Sequence, residues 1–372
     1  MKGRRRNRAS YEAVWFALTN HTVGEGAMKR AMILFFAGVC LVSFISACGQ
    51  GEDPDAGATQ EIIELNYSIF FPPAHVHSKA AEDWAREIES RTGNAVKINI
   101  YAGGTLTGAG ENYDGVVSGI SDIGMSVFAY TRGRFPVMEA VDLPLGYPDG
   151  MTATQVANAF YREMKPAELE DVKVLYLHAH GPGLLHTKQP VETLEDMRGM
   201  QIRSTGLSAR MVSSLGGTPV AMPQGDTYEA LQKGVVDGTF APMETLKGWR
   251  QAEVIGSTTD CNEIGYTTAM FVVMNKNRYE GLPEDIRSVF DAVSEEWIEV
   301  HGRVWDEADE DGLEYTLETG NQVISLDAEE SARWKKSIEP VIERYIEASA
   351  DKDFEGEKAV STLREMIREY SE

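Results

Sequence analysis

Arg203 ends the short alternating run "MQIRST" (200–205), and a glycine-bearing turn and a helix-forming stretch follow at once in "GLSARMVSSLGG". An arginine at the end of a strand and just ahead of a helix suits the capture of a small anion. Its guanidinium is planar, stays charged, and presents a fork of donors that matches a carboxylate bidentately. Charge-assisted bonds of this kind contribute ~1.5–3 kcal/mol each. The "STG" after the arginine is placed to add backbone N–H groups to the same anion. The alternative is an arginine paired with a protein carboxylate at the surface. Five of the seven histidines form two groups: His75 and His77 in "FPPAHVHSKA", and His178, His180 and His186 in "LHAHGPGLLH". His178 and His180 share one face if their stretch is a strand, and imidazoles so spaced can hold Zn²⁺. Hydrogen-bonding residues of a cleft or hinge are the preferred reading, because no carboxylate or Cys completes an evident metal set. No metal and no cofactor is therefore expected. "GAG" at 108–110 lacks the lysine of a phosphate loop, and there is no Ser elbow, no "HExxH" and no paired-carboxylate signature. No catalytic residue is expected either.

The elements around these residues alternate between strand and helix periods. "SKAAEDWAREIESRTG" puts Ala81, Trp84, Ala85 and Ile88 on one helical stripe with Gly93 as its stop. "AVKINIYAGG" alternates Val96, Ile98 and Ile100, as a strand does. "GENYDGVVSG" reads as a short helix, and "SDIGMSVFAY" as a buried strand ending in a loop. "VKVLYLHAH" (172–180), "MQIRST" and "VVDGTFAP" are further strands. "DTYEALQKG" is a helix opened by a capping box of Asp226 and Glu229 and stopped by Gly234. The order implies an α/β fold with largely parallel sheets. Strand-like stretches at 172–190 and 257–279 flank a complete βαβα block, which predicts two lobes with those stretches as crossings. Lobe I then spans 61–180 plus 257–283, and lobe II spans 181–256 plus the C-terminal helices to 372. Residues 284–319 form one long connecting helix of ~54 Å, unless it breaks in two near Gly302. The run "DEADEDGLE" is a solvated helix face, and "LKGW" with Trp249 is lobe packing.

The 372 residues carry a net charge of −23 and are 42% hydrophobic. That composition fits a globular protein with a substantial core and argues against partners such as nucleic acid or an anionic membrane surface. Lys29 and Arg30 precede an apolar run to Phe44, and "ISAC" ends at Cys48. This is the pattern of a secretory signal over residues 1–47, with Met28 the expected true start. "ISAC" resembles the bacterial lipobox, after which Cys48 carries the lipid. The alternatives are an uncleaved anchor helix, for which ~17 residues is the low edge of a membrane span, and a twin-arginine signal, from which Arg4 to Arg6 stand too far upstream. Losing 1–47 removes seven basic and two acidic residues and takes the charge to −28. Residues 48–60 read as a flexible tether. Of the three cysteines, only Cys48 and Cys261 remain after cleavage, and lipidation of Cys48 leaves no internal disulfide.

"LEDMRGMQIRSTG", "LGGTPVAMPQGDTYEALQKGVVDG" and "LPEDIRSVFDAV", with "RTGNAVKINIYAGGTL" and "GVVSGISDIGMS" before them, resemble the DctP-like solute-binding proteins of TRAP (tripartite ATP-independent periplasmic) transporters. The resemblance covers roughly residues 62–345. It implies a two-lobed periplasmic binding protein fold, type II-like, with a long helix spanning both lobes. It also implies a periplasmic or extracytoplasmic protein, joined to the membrane only through its lipid. Such a protein catalyses nothing: it captures a small organic acid and delivers it to an integral-membrane permease. In that family an arginine at the position of Arg203 holds the ligand carboxylate. The loop of His75 and His77 points at the cleft. Compared with the sialic-acid-binding branch, a second arginine falls on Gly183, an aromatic on Gln224 and an asparagine on Ala241. With Phe240, Met243 and Phe128 nearby, this implies a less polyhydroxylated acid. The implied ligand-binding set is Arg203, His75, His77, Phe128, Gln224, Phe240 and Ala241. The rival functions are a metal-capturing lipoprotein built on His75/His77 and His178/His180, and a secreted hydrolase, for which the sequence offers no nucleophile and base.

Overall fold

The computed structural model describes residues 62–352 and 354–372. The expected signal, the lipobox Cys48 and the tether lie outside the described residues. Among the described residues, eleven strands form two sheets. The first is built from β1 (Ile63–Ile69), β2 (Val96–Tyr101), β3 (Ile123–Val127), β4 (Val172–Ala179) and β10 (Ala269–Asn275). Their order is β2-β1-β3-β10-β4. The second is built from β5 (Leu184–Thr187), β6 (Gln201–Ser204), β7 (Thr218–Ala221), β8 (Gly238–Ala241), β9 (Ser257–Asp260) and β11 (Gln322–Ser325), in the order β11-β9-β5-β8-β6-β7.

The central strands are buried on both faces, as β3 "IGMSV" is throughout, which suits sheets covered by helices. Helix α1 (Val76–Arg91) buries Ala81, Trp84, Ala85 and Ile88, the stripe its spacing predicts. The sheets are less parallel than expected. β10 runs antiparallel to both β3 and β4, and β5 antiparallel to both β8 and β9. A strand–helix–strand crossover forces parallel pairing. β5 and β10 instead enter their sheets directly from the other lobe, so that constraint does not act on them. β9 pairs with β5 and β11 in the second sheet, so the return to the first lobe lies at 261–268 and not at 257.

The helix predicted at 284–319 is a single rod, α8 (Glu284–Glu318), ~52 Å long at 1.5 Å per residue. It packs on α1, β4 and α3 (Gly150–Met164) of the first lobe, then on α6 (Glu244–Gly248) and β11 of the second. Gly302 does not break it. A Cβ there would stand 2.8 Å from Met151 Sδ, so the glycine marks where α8 presses closest on α3. The C-terminal helices divide between the lobes. α9 (Ala328–Ser349) packs on α4 (Ser208–Ser214) of the second lobe, while α10 (Gly356–Tyr370) turns back onto α3 of the first. The apolar stripe Ala359, Val360, Leu363 and Ile367 of α10 is buried there, which corrects the assignment of both helices to lobe II. Asp226 makes no capping bond to α5 (Thr227–Lys233), because a preceding 3-10 turn holds its backbone in the helical region. No described helix is long and apolar enough to cross a membrane.

Candidate functional site

β6 delivers Arg203 to the seam between the lobes. Ile202 turns into the core, and the alternation of the strand sends Arg203 the other way. The side chain is only 4% exposed. Its Nε donates to the Met222 carbonyl at 3.1 Å. Among the described residues no Asp or Glu oxygen stands within 4.0 Å of its guanidinium. The charge is therefore buried and uncompensated by the protein.

Arg203 lines a cavity between the lobes. Phe70, Tyr130, Phe240, Trp249, Tyr266 and Trp305 give it aromatic walls. Its polar lining includes His180, Thr205, Gln224, Glu244, Thr245 and Thr268. Gln224 Nε2 and Trp249 Nε1 are buried without a hydrogen-bond partner, and both residues line the cavity. His180 joins them, its Nδ1 2.5 Å from the Gly181 carbonyl. Burial, together with the nearby Arg203 charge, pushes that imidazole down to about 4, so it is neutral at pH 7. An apolar cavity with a few convergent donors is the general form of a small-molecule site.

Both lobes build the walls, and they touch. The Gln224 N–H donates to Tyr130 Oη at 3.0 Å. Phe70 stacks on Trp249 at 6.3 Å between centroids. The turn after Arg203 comes so near the first lobe that a Cβ at Gly206, whose φ is +52°, would meet Ala129 Cβ at 2.8 Å. The expected donation from "STG" is not free at Thr205, whose N–H already bonds Ser208 Oγ at 3.0 Å.

A family model described as bacterial extracellular solute-binding protein, family 7 (DctP) matches residues 67–348. The chain belongs to this family. A TRAP periplasmic solute-binding protein from Desulfovibrio salexigens, crystallised as an open complex, is 33% identical with a TM-score of 0.74, covering 83% of this chain and 96% of its own. One from Rhodoferax ferrireducens, in complex with copurified benzoate, is 27% identical with a TM-score of 0.80, covering 83% and 98%. A marine-metagenome protein specific for aromatic acid ligands, holding 3-hydroxybenzoate, is 28% identical with a TM-score of 0.79, covering 84% and 99%. This DctP protein is thus a TRAP-type periplasmic solute-binding protein with the two-lobed α/β fold. Its relatives are transport proteins and not enzymes, so the metal-capturing and hydrolytic alternatives are not favoured.

Of the residues singled out in the sequence, Arg203, Gln224, Phe240 and Ala241 of this DctP protein line the cavity. His75, His77 and Phe128 do not. Phe128 is held in an aromatic cluster with Phe135 and Phe271. His75 caps α1, its Nδ1 accepting from the His77 N–H at 3.4 Å, and its Nε2 stands 2.7 Å from Glu244 Oε1. His77 lies behind the wall, 3.6 Å from the Trp305 ring, with Nδ1 3.1 Å from His301 Nε2. His178 stacks on His301 at 3.8 Å and accepts from Trp305 Nε1 at 3.1 Å. Burial holds His77, His178 and His301 well below the usual imidazole range. His186 bonds Thr258 Oγ1 and the Ala241 carbonyl inside the second sheet. Sequence reasoning missed Tyr130, Glu244 and Tyr266. It took Trp249 for packing, and it read His180 as a hydrogen-bonding cleft or hinge residue, with a metal site as the alternative. The residues around Tyr130 and Glu244 carry no local signal, because each works only against a partner in the opposite lobe.

Proposed function

We propose that this TRAP solute-binding protein, which captures a small organic acid, takes an aromatic monocarboxylate such as benzoate or a hydroxylated benzoate. The observation that carries this reading is a buried Arg203 without a protein counter-ion, set in a cavity walled by aromatic rings. The carboxylate seats on the guanidinium in a charge-assisted, bidentate pair. The ring of the acid lies against Phe70, Trp249 and Phe240, where offset or edge contacts add ~0.5–1.5 kcal/mol each. Gln224 Nε2 and Trp249 Nε1 are donors for the carboxylate or for a second polar group. The aromatic-acid ligands of the two relatives described above support the choice. The protein performs no chemical step: it holds the acid between closed lobes and releases it to a membrane permease. It is held near that permease by a lipid on Cys48 after cleavage of residues 1–47. Mass spectrometry of the mature N-terminus tests this anchoring, and an unmodified Cys48 would refute it.

A thermal-shift and calorimetric screen tests the ligand class. Benzoate, 3-hydroxybenzoate and mandelate are expected to stabilise the protein by ~2.7 kcal/mol at a hundredfold excess over Kd. Arg203→Ala is expected to weaken benzoate binding by roughly two orders of magnitude, from the loss of two charge-assisted bonds, with the fold intact. Tighter binding of succinate or a hexuronate than of every aromatic acid would overturn the reading.

A further inference from the structure

At the edge of the cavity, which Glu244 also lines, three donors have no part in the solute-capture reading. His75 and His77 come from the start of α1 in the first lobe, and Glu244 comes from α6 in the second. All three are buried. One donor atom from each lies within 4.8 Å of the other two. Nε2 of His75, Nε2 of His77 and Oε1 of Glu244 all lack a well-aligned hydrogen bond, although the first and last approach to 2.7 Å. His77 Nε2 is buried without a partner beside the close His75–Glu244 pair, which makes this a buried polar spot suited to an ion or a water. Gly248 keeps the space open. A Cβ at that position would collide with Glu244 Oε1 and stand 2.6 Å from His75 Nε2.

We propose that His75, His77 and Glu244 form a site for a divalent transition metal, Zn²⁺ by their donor chemistry, which pins the first lobe to the second. Two imidazoles and one carboxylate with an open fourth position are a recurrent zinc set. The outer shell is in place: His77 Nδ1 engages His301 Nε2 at 3.1 Å, and His301 Nδ1 engages Tyr176 Oη at 3.2 Å. Ligating histidines use such a chain to fix ring orientation. Metal on His75 Nε2 puts the proton on Nδ1, so the 3.4 Å contact from the His77 N–H must give way. That contact is already beyond the ordinary range. A surface groove bordered by Pro72, Val76, Lys247 and Asp311 reaches His75 and Glu244 and gives the ion an entry path. The donors meet across the seam, so metal and lobe closure favour each other. The ion is an accessory of the fold and not its cargo.

The test is a zinc titration of the full chain after chelator treatment and dialysis, read by calorimetry and by metal analysis. One Zn²⁺ per chain with a Kd of about 1 µM or tighter is expected. Glu244→Gln and His77→Asn should each weaken it at least ~10-fold, with unchanged circular dichroism. Gly248→Ala keeps all three donor residues but its Cβ must push Glu244 Oε1 and His75 Nε2 aside, so it should also lose uptake, and it serves if His77→Asn does not fold. Absence of uptake by the wild type, or uptake by Glu244→Gln and Gly248→Ala equal to wild type, overturns the site. Arg203→Ala should bind zinc as wild type does while losing benzoate, so failure of the metal site and failure of the aromatic-acid reading are seen separately.

Discussion

A buried guanidinium whose one side-chain hydrogen bond among the described residues goes to the Met222 carbonyl carries a desolvation cost of several kcal/mol, and no Asp or Glu oxygen among them stands within 4.0 Å to offset it. An anionic guest supplies the missing charge. Arg203→Lys keeps the charge but loses the planar fork, so benzoate affinity should fall by ~10-fold, less than for alanine; equal affinities in calorimetry would contradict a bidentate seat. Asp309 gives a pH signature. Burial pushes its carboxyl up to about 8, and it accepts from the Glu244 N–H at 2.7 Å. Its folded pKa is thus raised above the ordinary carboxylate value. The native state holds an extra proton between about pH 4 and pH 8, and the stability from this group is full below that window and lost across it as pH rises. Asp309→Asn should flatten this fall, raising the melting temperature relative to wild type at pH 8 and changing it little at pH 4. Arg203 was legible because the stretch around it resembles the family's; strand end, turn and helix start alone left a surface ion pair the stronger reading. The true setting of His75 and His77 was not, because it depends on Glu244 and His301, which only the closed fold brings to them.

The elements that carry the site were mostly readable from their periods. The stripe of α1, the alternation of β2, and the length of α8 follow from residue spacing alone. Strand direction did not follow. β5 and β10 look like any other apolar run, and only the lobe they enter from makes them antiparallel. The role of the glycines of α8 was opaque, since Gly302 leaves a break as the alternative until Met151 is seen against it. Gly312 makes the matching contact with the second lobe, where an added Cβ would stand 2.7 Å from the Met243 carbonyl carbon. Gly302→Ala meets the flexible Met151 thioether at 2.8 Å and that residue's Cα only at 3.0 Å, but Gly312→Ala meets backbone alone, at 2.7 Å from the Met243 carbonyl carbon and closer still to its oxygen. Alanine improves helix propensity by ~1 kcal/mol at either place, while overpacking costs ~1–3 kcal/mol. Thermal denaturation should show Gly312→Ala clearly destabilised and Gly302→Ala the milder of the two; the reverse order would refute the tight seat at Met243.

For the whole molecule, the cross-lobe bond from Gln224 to Tyr130 and the stack of Phe70 on Trp249 belong to a closed form. A solute that binds this form better than an open one contracts the protein. Small-angle scattering should therefore show a smaller radius of gyration when benzoate is added. Tyr130→Phe, which removes one hydrogen bond worth ~1 kcal/mol, should weaken benzoate about fivefold without altering the empty protein's melting. Identical scattering curves with and without benzoate would contradict closure. Gly302 and Gly312 anchor α8 to opposite lobes only ten residues apart, a span of ~15 Å. Any rotation that parts the lobes must be absorbed there. So short a piece of unbroken helix bends without pivoting freely, and it behaves as a leaf spring. On the closure reading above, a guest would draw the jaws shut against that flexure, which favours reopening once the cargo has left.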